Sequence, residues 1–220
     1  MKHIMKQHEP GEFTQWKALE NDNWKPTFEN LSGSVKQAVK HALMHEHGYI
    51  CCYCEQRVDD DNSHIEHFRP RSDPGVDPLD FANMLCSCQN RLSRKVPRHC
   101  GSLKGDWFDE YLTVSPFAYD CEQRFNYTGD GRILPADPSD EAATTTITKL
   151  GLDIPKLNDM RKKVIEPFLD PAIDDDEMRK FVVGYLAIDG SGYYNAFWTT
   201  IRYLFGSYAH QEQTKATYPD

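Results

Sequence analysis

Long apolar runs are missing from this 220-residue sequence. No window approaches the roughly 18 consecutive apolar residues that a membrane-spanning helix needs, and the mean hydropathy is -0.68. The opening stretch, MKHIMKQHEPGEF, has no apolar region of the kind that secretory signals carry. Internal repeats and low-complexity tracts are absent as well. We therefore expect a cytoplasmic globular protein with no membrane partner.

Positive charge is scarce, because 25 Lys and Arg stand against 34 Asp and Glu and give a net charge of -9. This balance argues against a protein that coats nucleic acid through bulk electrostatics. Basic residues are nevertheless concentrated between positions 64 and 104, where we expect a polyanion to dock. The loop before Cys100 adds candidates for that contact, unless it is simply a solvated loop: Arg91, Arg94, Lys95 and Arg98.

The seven cysteines are an odd number without a secretory signal, which disfavours a disulfide framework. Cys51 and Cys54 form a C-x-x-C knuckle whose thiolates can chelate one tetrahedral zinc ion, and a second pair must complete its shell. The candidates for this second pair are Cys86, Cys88, His99 and Cys100. The remaining thiols are expected to pack as small apolar groups: Cys52, Cys121 and Cys86.

Periodicity and capping residues predict the secondary structure. Residues 1–30 are predicted to be irregular, and a helix is predicted from Ser32 or Ser34 to Gly48. A strand over 62–68, a short helix from Gly101 that carries Lys104, Trp107 and Phe108, and a hairpin over 117–134 follow. Four helices are predicted after Pro138, over 140–150, 155–168, 174–188 and 194–208.

Glu66 and His67 lie between the cysteine pairs, in the segment Ile65-Glu66-His67-Phe68-Arg69-Pro70. A neutral imidazole with a pKa of about 6.5 is a suitable base for activating water. A neighbouring carboxylate can hold a hard cation such as Mg²⁺ or Mn²⁺. Strand alternation would place the two side chains on opposite faces, so the strand must end or bend near Pro70 for both to serve one site.

In order, these motifs resemble an HNH endonuclease: Cys51-x-x-Cys54, Ile65-Glu66-His67-x-Arg69-Pro70, Leu79-Asp80-Phe81-Ala82-Asn83, Cys88, and His99-Cys100-x-x-x-Lys104-Gly105-Asp106. The sequence is similar, over nearly its whole length, to the subgroup found beside retrons and in the Septu anti-phage system (PtuB-like). The resemblance implies an α+β fold with a zinc-clamped ββα-metal core. The core would span 49–110, after an N-terminal segment and helix (1–48) and before a hairpin and helical region (111–220) packed with it.

The resemblance implies a role for each matching residue. His67 would be the general base, Glu66 a ligand of the catalytic Mg²⁺ or Mn²⁺, and Asn83 the residue that pins the loop and orients the base. A structural Zn²⁺ would be held by Cys51, Cys54, Cys88 and Cys100. Phosphates of the nucleic acid, DNA or RNA, would be neutralised by Arg69, Arg71 and Lys104.

One position departs from the family pattern. Gly101 stands where the family usually has an Asn or His that completes the cation site. Ser102, Asp106 or water would have to substitute, and His64 and His99 are alternative donors. This departure bears on whether the isolated chain is active.

The implied function is metal-dependent hydrolysis of phosphodiester bonds by a subunit of an anti-phage defence system. The resemblance implies an ATPase partner (PtuA-like) that holds or activates the chain, and a retron reverse transcriptase with its msDNA is a further candidate partner. One alternative is a catalytically inert, zinc-stabilised binding or adaptor module, in which Glu66 and His67 are structural. Another, a thiol redox protein built on Cys51-x-x-Cys54, is disfavoured because it leaves the further cysteines unexplained.

Overall fold

The computed structural model describes residues 1–90, 93 and 95–210, and it has the predicted α+β fold. Arg91 and Arg94 therefore lie outside the described residues. The helices are α1 (Gly11–Lys17), α2 (Gly33–Glu46), α3 (Gly101–Lys104), α4 (Glu141–Lys149), α5 (Pro155–Ile165), α6 (Asp175–Leu186) and α7 (Trp198–His210). The strands are β1 (Ser63–His67), β2 (Met84–Cys88), β3 (Phe125–Tyr127) and β4 (Ile133–Pro135). Within the described ranges, no helix combines the length and the apolar character that a bilayer crossing requires.

The β1–β2 hairpin forms the centre of the N-terminal half. The two strands pair antiparallel, with Ser63 opposite Cys88 and His67 opposite Met84. All five residues of β2 are buried, as expected for a strand covered on both faces. β1 ends at His67, as predicted from Pro70, and a short 3-10 helix (Phe81–Asn83) leads into β2.

Two predictions for the first half are wrong. The region predicted to be irregular contains α1, which begins directly after Pro10; the Pro10 carbonyl accepts the N–H groups of Phe13 and Thr14. Proline is well tolerated at a helix start, and Phe13 anchors α1 in the core. The helix at Gly101 is shorter than predicted and leaves out Trp107 and Phe108, because Gly105 adopts a φ of 53° and ends it.

The C-terminal helices follow their caps. Asp140 and Asp174 accept the N–H groups of Ala143 and Glu177 and start α4 and α6 where the sequence predicts. α5 gives way to a 3-10 turn (Glu166–Leu169), because its proline at 167 has no N–H for the helical ladder. The prediction for α7 starts too early, since this helix begins at Trp198.

Two clusters of buried side chains make up the core. The larger cluster extends from Met1 to Leu157 and includes both sides of the β1–β2 hairpin. The smaller cluster lies between α5, α6 and α7 and contains Ile165, Phe168, Met178, Val182 and Ile201. Leu204 of α7 packs against both clusters. The boundaries between the three predicted regions stay a prediction.

A buried carboxylate links the start of α7 to the residues after the C-x-x-C knuckle. The two oxygens of Glu55 accept the Thr199 N–H at 2.8 Å and the Thr199 hydroxyl at 2.5 Å. The α-ammonium of Met1 lies 3.0 Å from Glu55 Oε1. Burial raises the pKa of Glu55, but the charge of Met1 and the Thr199 bonds outweigh this and lower it. Glu55 therefore stays ionised inside the protein and ties the two halves together.

Gly131, in the β3–β4 turn, provides a test of this packing. Its φ is 87°, and a Cβ atom there would lie 2.1 Å from the Asn158 carbonyl oxygen of α5. We expect Gly131→Ala to lower the free energy of unfolding by about 2 kcal/mol or more, from left-handed backbone strain plus the clash. The measurement is urea unfolding. Gly129→Ala is the matched control, since a Cβ there meets nothing within 4 Å; equal effects would contradict the packing described.

Candidate active site and metal centre

Four buried cysteines meet at one point. The Sγ atoms of Cys51, Cys54, Cys88 and Cys100 all lie within 4.8 Å of one another, and the pair Cys54–Cys88 is 3.7 Å apart. Sulfur atoms at the corners of a tetrahedron with metal–sulfur bonds of 2.3 Å are about 3.8 Å apart. These four predicted ligands can therefore hold a metal ion.

The electrostatics of the four thiols fit a bound cation. Burial raises the pKa of Cys51, but hydrogen bonds from the neighbouring thiols outweigh it and hold its pKa well below the usual value. Burial and the same neighbours raise the pKa of Cys100 well above its usual value. A divalent ion would stabilise all four groups as thiolates.

Groups around the cysteines support the sulfur atoms. The Cys88 N–H donates to Cys51 Sγ at 3.3 Å, and Nδ1 of the buried His99 lies 3.2 Å from Cys100 Sγ. Burial lowers the pKa of His99 to about 4, so this imidazole is neutral. His99, a predicted alternative donor for the catalytic cation, is therefore placed beside the cysteines.

Glu66 is the buried carboxylate of the site. Its Oε1 atom accepts the Tyr53 hydroxyl at 3.2 Å and lies 3.0 Å from Lys104 Nζ. Its Oε2 atom lies 3.6 Å from Nε2 of His64, which shares a strand face with Glu66. Burial raises the pKa of Glu66, but the hydrogen bond from His64 and the charge of Lys104 outweigh it and lower the pKa. The carboxylate is therefore ionised at neutral pH.

Glu66 and His64 pack directly against Gly101. A Cβ atom on Gly101 would lie 2.4 Å from Glu66 Oε2 and 2.9 Å from His64 Nε2. These two groups therefore occupy the place that a side chain at position 101 would take. Of the predicted substitutes for the missing third ligand, His64 is the one seen beside Glu66, whereas the Ser102 hydroxyl donates to the Gln89 carbonyl at 3.1 Å.

His67 is held in one tautomer. Its Nε2 lies 2.9 Å from the Pro78 carbonyl oxygen, which can only accept, so Nε2 carries the hydrogen and Nδ1 carries the lone pair. The ring packs edge-on against Phe28, with 4.7 Å between the centroids. Burial, followed by the charges of Arg71 and Lys104, lowers the pKa of His67. The imidazole is therefore neutral at pH 7 and its Nδ1 can accept a proton.

Asn83 closes the loop that follows β1. Its Oδ1 atom accepts the Arg69 N–H at 2.8 Å, and its Nδ2 atom donates to the Arg69 carbonyl at 2.9 Å. The Asn83 carbonyl also accepts the Phe68 N–H at 2.9 Å. The backbone directly after His67 is thus bound at three points, which is the placement that the predicted pinning role requires.

The three predicted phosphate contacts differ in their surroundings. Arg69 and Arg71 are exposed, and each pairs with a carboxylate at 2.7 Å: Asp73 and Glu29 respectively. Lys104 departs from the expectation, because its side chain is 1% exposed and donates to the His67 carbonyl at 2.9 Å. The buried charge of Glu66 needs a buried partner, and Lys104 supplies it.

The sequence analysis missed how Glu66 is surrounded. Alternation along β1 places residues 64 and 66 on one strand face, so the pairing of His64 with Glu66 was available as a signal. The contacts from Tyr53 and Lys104 had no such signal, since both come from other segments and depend on the tertiary fold.

Comparison with known proteins adds two relatives. No family model matches the chain. It is 32% identical over 141 residues to the "Retron Vc95 putative HNH endonuclease" of Vibrio cholerae serotype O1 biovar El Tor; the match covers 60% of this chain and 65% of the relative, slightly less than two thirds of its length. It is 26% identical over 208 residues to the "Retron Ec83 putative HNH endonuclease" of Escherichia coli, covering 76% of this chain and 80% of that protein.

The geometry of the site and the names of the two relatives indicate the same class of protein. A β1–β2 hairpin with Glu66 and His67, followed by α3 and closed by four cysteines, is the arrangement that a ββα-metal core requires. Both relatives are named as HNH endonucleases of retrons, and they support an HNH endonuclease of retron type. Neither name mentions the Septu system, so the PtuB-like subgroup stays a prediction.

The four-cysteine group predicts the effect of losing one ligand. We expect Cys54→Ser to lose the bound metal and to lower the Tm by more than about 10 °C, because a structural metal contributes folding free energy directly. Metal content by plasma mass spectrometry and melting by circular dichroism measure this. Cys52→Ala, at a buried thiol outside the group, should keep one metal per chain. A Cys54→Ser protein with unchanged metal content would contradict the assignment.

Proposed function

We propose that this chain is a metal-dependent endonuclease that hydrolyses phosphodiester bonds in nucleic acid, with Zn²⁺ at the four cysteines and Mg²⁺ or Mn²⁺ at Glu66. The observation that carries the proposal is the pair at the end of β1, an ionised carboxylate beside a neutral imidazole whose Nδ1 can accept a proton. The names of both relatives support it.

His67 performs the proton transfer in this proposal. Its Nδ1 takes a proton from a water molecule whose oxygen forms the new bond to phosphorus. The bond from phosphorus to the leaving oxygen breaks, and solvent returns a proton to that oxygen. The Pro78 carbonyl keeps the Nε2 hydrogen in place, and Asn83 holds the backbone after His67, so the lone pair keeps one direction throughout.

Glu66 and His64 are the residues that would hold the catalytic cation. Glu66 Oε2 and His64 Nε2 lie 3.6 Å apart against Gly101, while Oε1 is occupied by Tyr53 and Lys104. When bound, the cation supplies positive charge next to the phosphate oxygens and the leaving group. One imidazole and one carboxylate form a mixed donor set, which suits Mn²⁺ better than Mg²⁺.

A catalytically inert zinc module is the second candidate. The observation that favours it is the ion pair between Lys104 and Glu66, since the ammonium already neutralises the carboxylate that the cation would use. The absence of a side chain at Gly101 acts in the same direction. The two candidates predict opposite results in a cleavage assay.

The biological setting is proposed from the resemblance. We place the chain in an anti-phage defence system, where an ATPase subunit would hold or activate it, and the retron names of both relatives support this setting. The acidic net charge of -9 is consistent with a partner that helps to present nucleic acid.

His67→Ala separates the two candidate functions. We expect the zinc-loaded wild-type chain to cut plasmid DNA or bulk tRNA with Mn²⁺ at low salt, and His67→Ala to lose at least about 100-fold in rate, because the general base is gone. Zinc content should stay unchanged and the chain should stay folded, with the Tm lowered by the loss of the buried ring and its bond to Pro78. His8→Ala, an exposed histidine on the N-terminal segment, is the control and should cut normally. Cutting by His67→Ala at the wild-type rate would refute the base assignment.

Glu66→Gln tests the cation site separately. The amide oxygen can still accept from Tyr53 and Lys104, but the negative charge is lost, so we expect Mn²⁺ binding and cleavage to disappear together. Electron paramagnetic resonance of free Mn²⁺ measures binding without reference to activity. His67→Ala should still bind Mn²⁺; if Glu66→Gln binds it equally well, the cation lies elsewhere.

A further inference from the structure

An open cleft of ≈ 500 Å³ runs between α2 and β1 beside the candidate active site. Lys36 and Lys40 line it from α2, and His64 lines it from β1, with Phe28 on the same lining. The cleft therefore reaches the histidine that faces Glu66. Its two lysines lie outside the 64–104 segment, where a polyanion is expected from the sequence.

Lys36 and Lys40 lie on one face of α2. Residues four apart on a helix have Cβ atoms about 5–6 Å apart and are neighbours on its surface. Lys36 is exposed, whereas Lys40 lies deeper, with its ammonium bonded to the Asp60 carbonyl. An ammonium has three donors, so this bond leaves Lys40 able to make another. Two lysines at this spacing can contact neighbouring phosphates of a single strand.

Phe28 connects this lysine row to His67. Its ring is in edge contact with the His67 ring, and the Lys36 ammonium lies 5.7 Å from its centroid. The Arg71 guanidinium lies 4.5 Å from the same centroid. One aromatic side chain thus brings two cationic groups close to the proposed base, at the end of the cleft where a phosphate must enter.

The lining also carries acidic residues, next to Lys40. Asp60 and Asp61 contribute carboxylates there. Asp60 is partly compensated, since its Oδ2 atom lies 2.8 Å from His41 Nε2 and its Oδ1 atom 3.9 Å from Lys40 Nζ. The charge along the cleft therefore changes from basic near Phe28 to acidic near Asp61, which gives a bound polyanion a preferred position.

We infer that this cleft is the path of the nucleic-acid strand, with Lys36 and Lys40 binding the phosphates next to the one that is cleaved. This inference rests on the proposed function and adds a binding surface to it. The strand lies along α2, between Phe28 and His64, and its phosphates face the lysine row. Asp61 limits how far the strand extends.

The test measures binding in the His67→Ala full-length chain, so that cleavage does not interfere. The probes are fluorescein-labelled single-stranded DNA and single-stranded RNA, titrated by anisotropy over a range of salt concentrations. Removing both contacts with Lys36→Ala and Lys40→Ala should lower the magnitude of the slope of log K against log salt by about 1.4, because each phosphate contact on a single strand contributes about 0.7. Asp61→Asn should tighten binding, because it removes a repulsive charge.

Lys162→Ala with Lys163→Ala is the matched control, since it removes two exposed lysines of α5 that do not line the cleft. The control should keep the wild-type slope, and both double variants should keep their zinc and their Tm. Equal slopes for the two double variants, or no binding of either probe by the parent chain, would overturn the inference. If either of these results is found but the wild-type chain cleaves nucleic acid, the proposed function stands and only the cleft assignment fails. If binding depends on the two lysines but the wild-type chain does not cleave, the cleft assignment stands and the proposed function fails.

Discussion

The confinement of four sulfur atoms within 4.8 Å determines the geometry of the candidate site. They join three separate pieces of chain: the C-x-x-C knuckle, the end of β2 at Cys88, and the residue before α3 at Cys100. Because β1 is paired with β2 in a single register, the position of Cys88 in β2 also determines where Glu66 lies along β1. The position of Cys100 brings Gly101 and Lys104 against the same carboxylate. The residues proposed for chemistry are therefore adjacent, in sequence or in strand register, to the cysteines that can hold a metal ion.

Within that frame, Glu66 and His67 are stabilised by different means. Glu66 is a buried charge, and such a charge persists only with partners, here Lys104, Tyr53 and His64. His67 is buried but neutral, and it needs orientation rather than compensation; the Pro78 carbonyl provides this. At the same pH, Glu66 is thus negatively charged and the neighbouring His67 is neutral. Cation binding requires the first state, and proton abstraction by a general base requires the second.

Features that depend on local chemistry could be predicted from the sequence, and those that depend on distant partners could not. The C-x-x-C knuckle and the helix caps at Asp140 and Asp174 are recognisable because spacing and residue type carry the signal, whereas the choice of Cys88 and Cys100 as the second pair came from the family resemblance. Helix α1 was missed because residues 1–30 were predicted to be irregular, although a proline such as Pro10 is well tolerated at a helix start. The burial of Lys104 was missed because a lysine in a basic segment resembles a surface residue until the fold shows which carboxylate it faces. Gly101 could be recognised as a departure from the family pattern. The close approach of Glu66 and His64 to Gly101 is visible only in three dimensions.

The contact between Glu55 and Thr199 has a consequence for how the protein can be divided. A chain that stopped before Trp198 would remove the backbone and hydroxyl donors that keep the Glu55 carboxylate ionised in the interior. The uncompensated charge would lie directly after the C-x-x-C knuckle. The truncation would therefore destabilise the four-cysteine group more than the new chain end. The Glu55–Thr199 contact therefore makes the region around the C-x-x-C knuckle depend on the start of α7. An insertion or a fusion at the start of α7 would therefore destabilise the four-cysteine group, although Thr199 and Glu55 are 144 residues apart in the sequence.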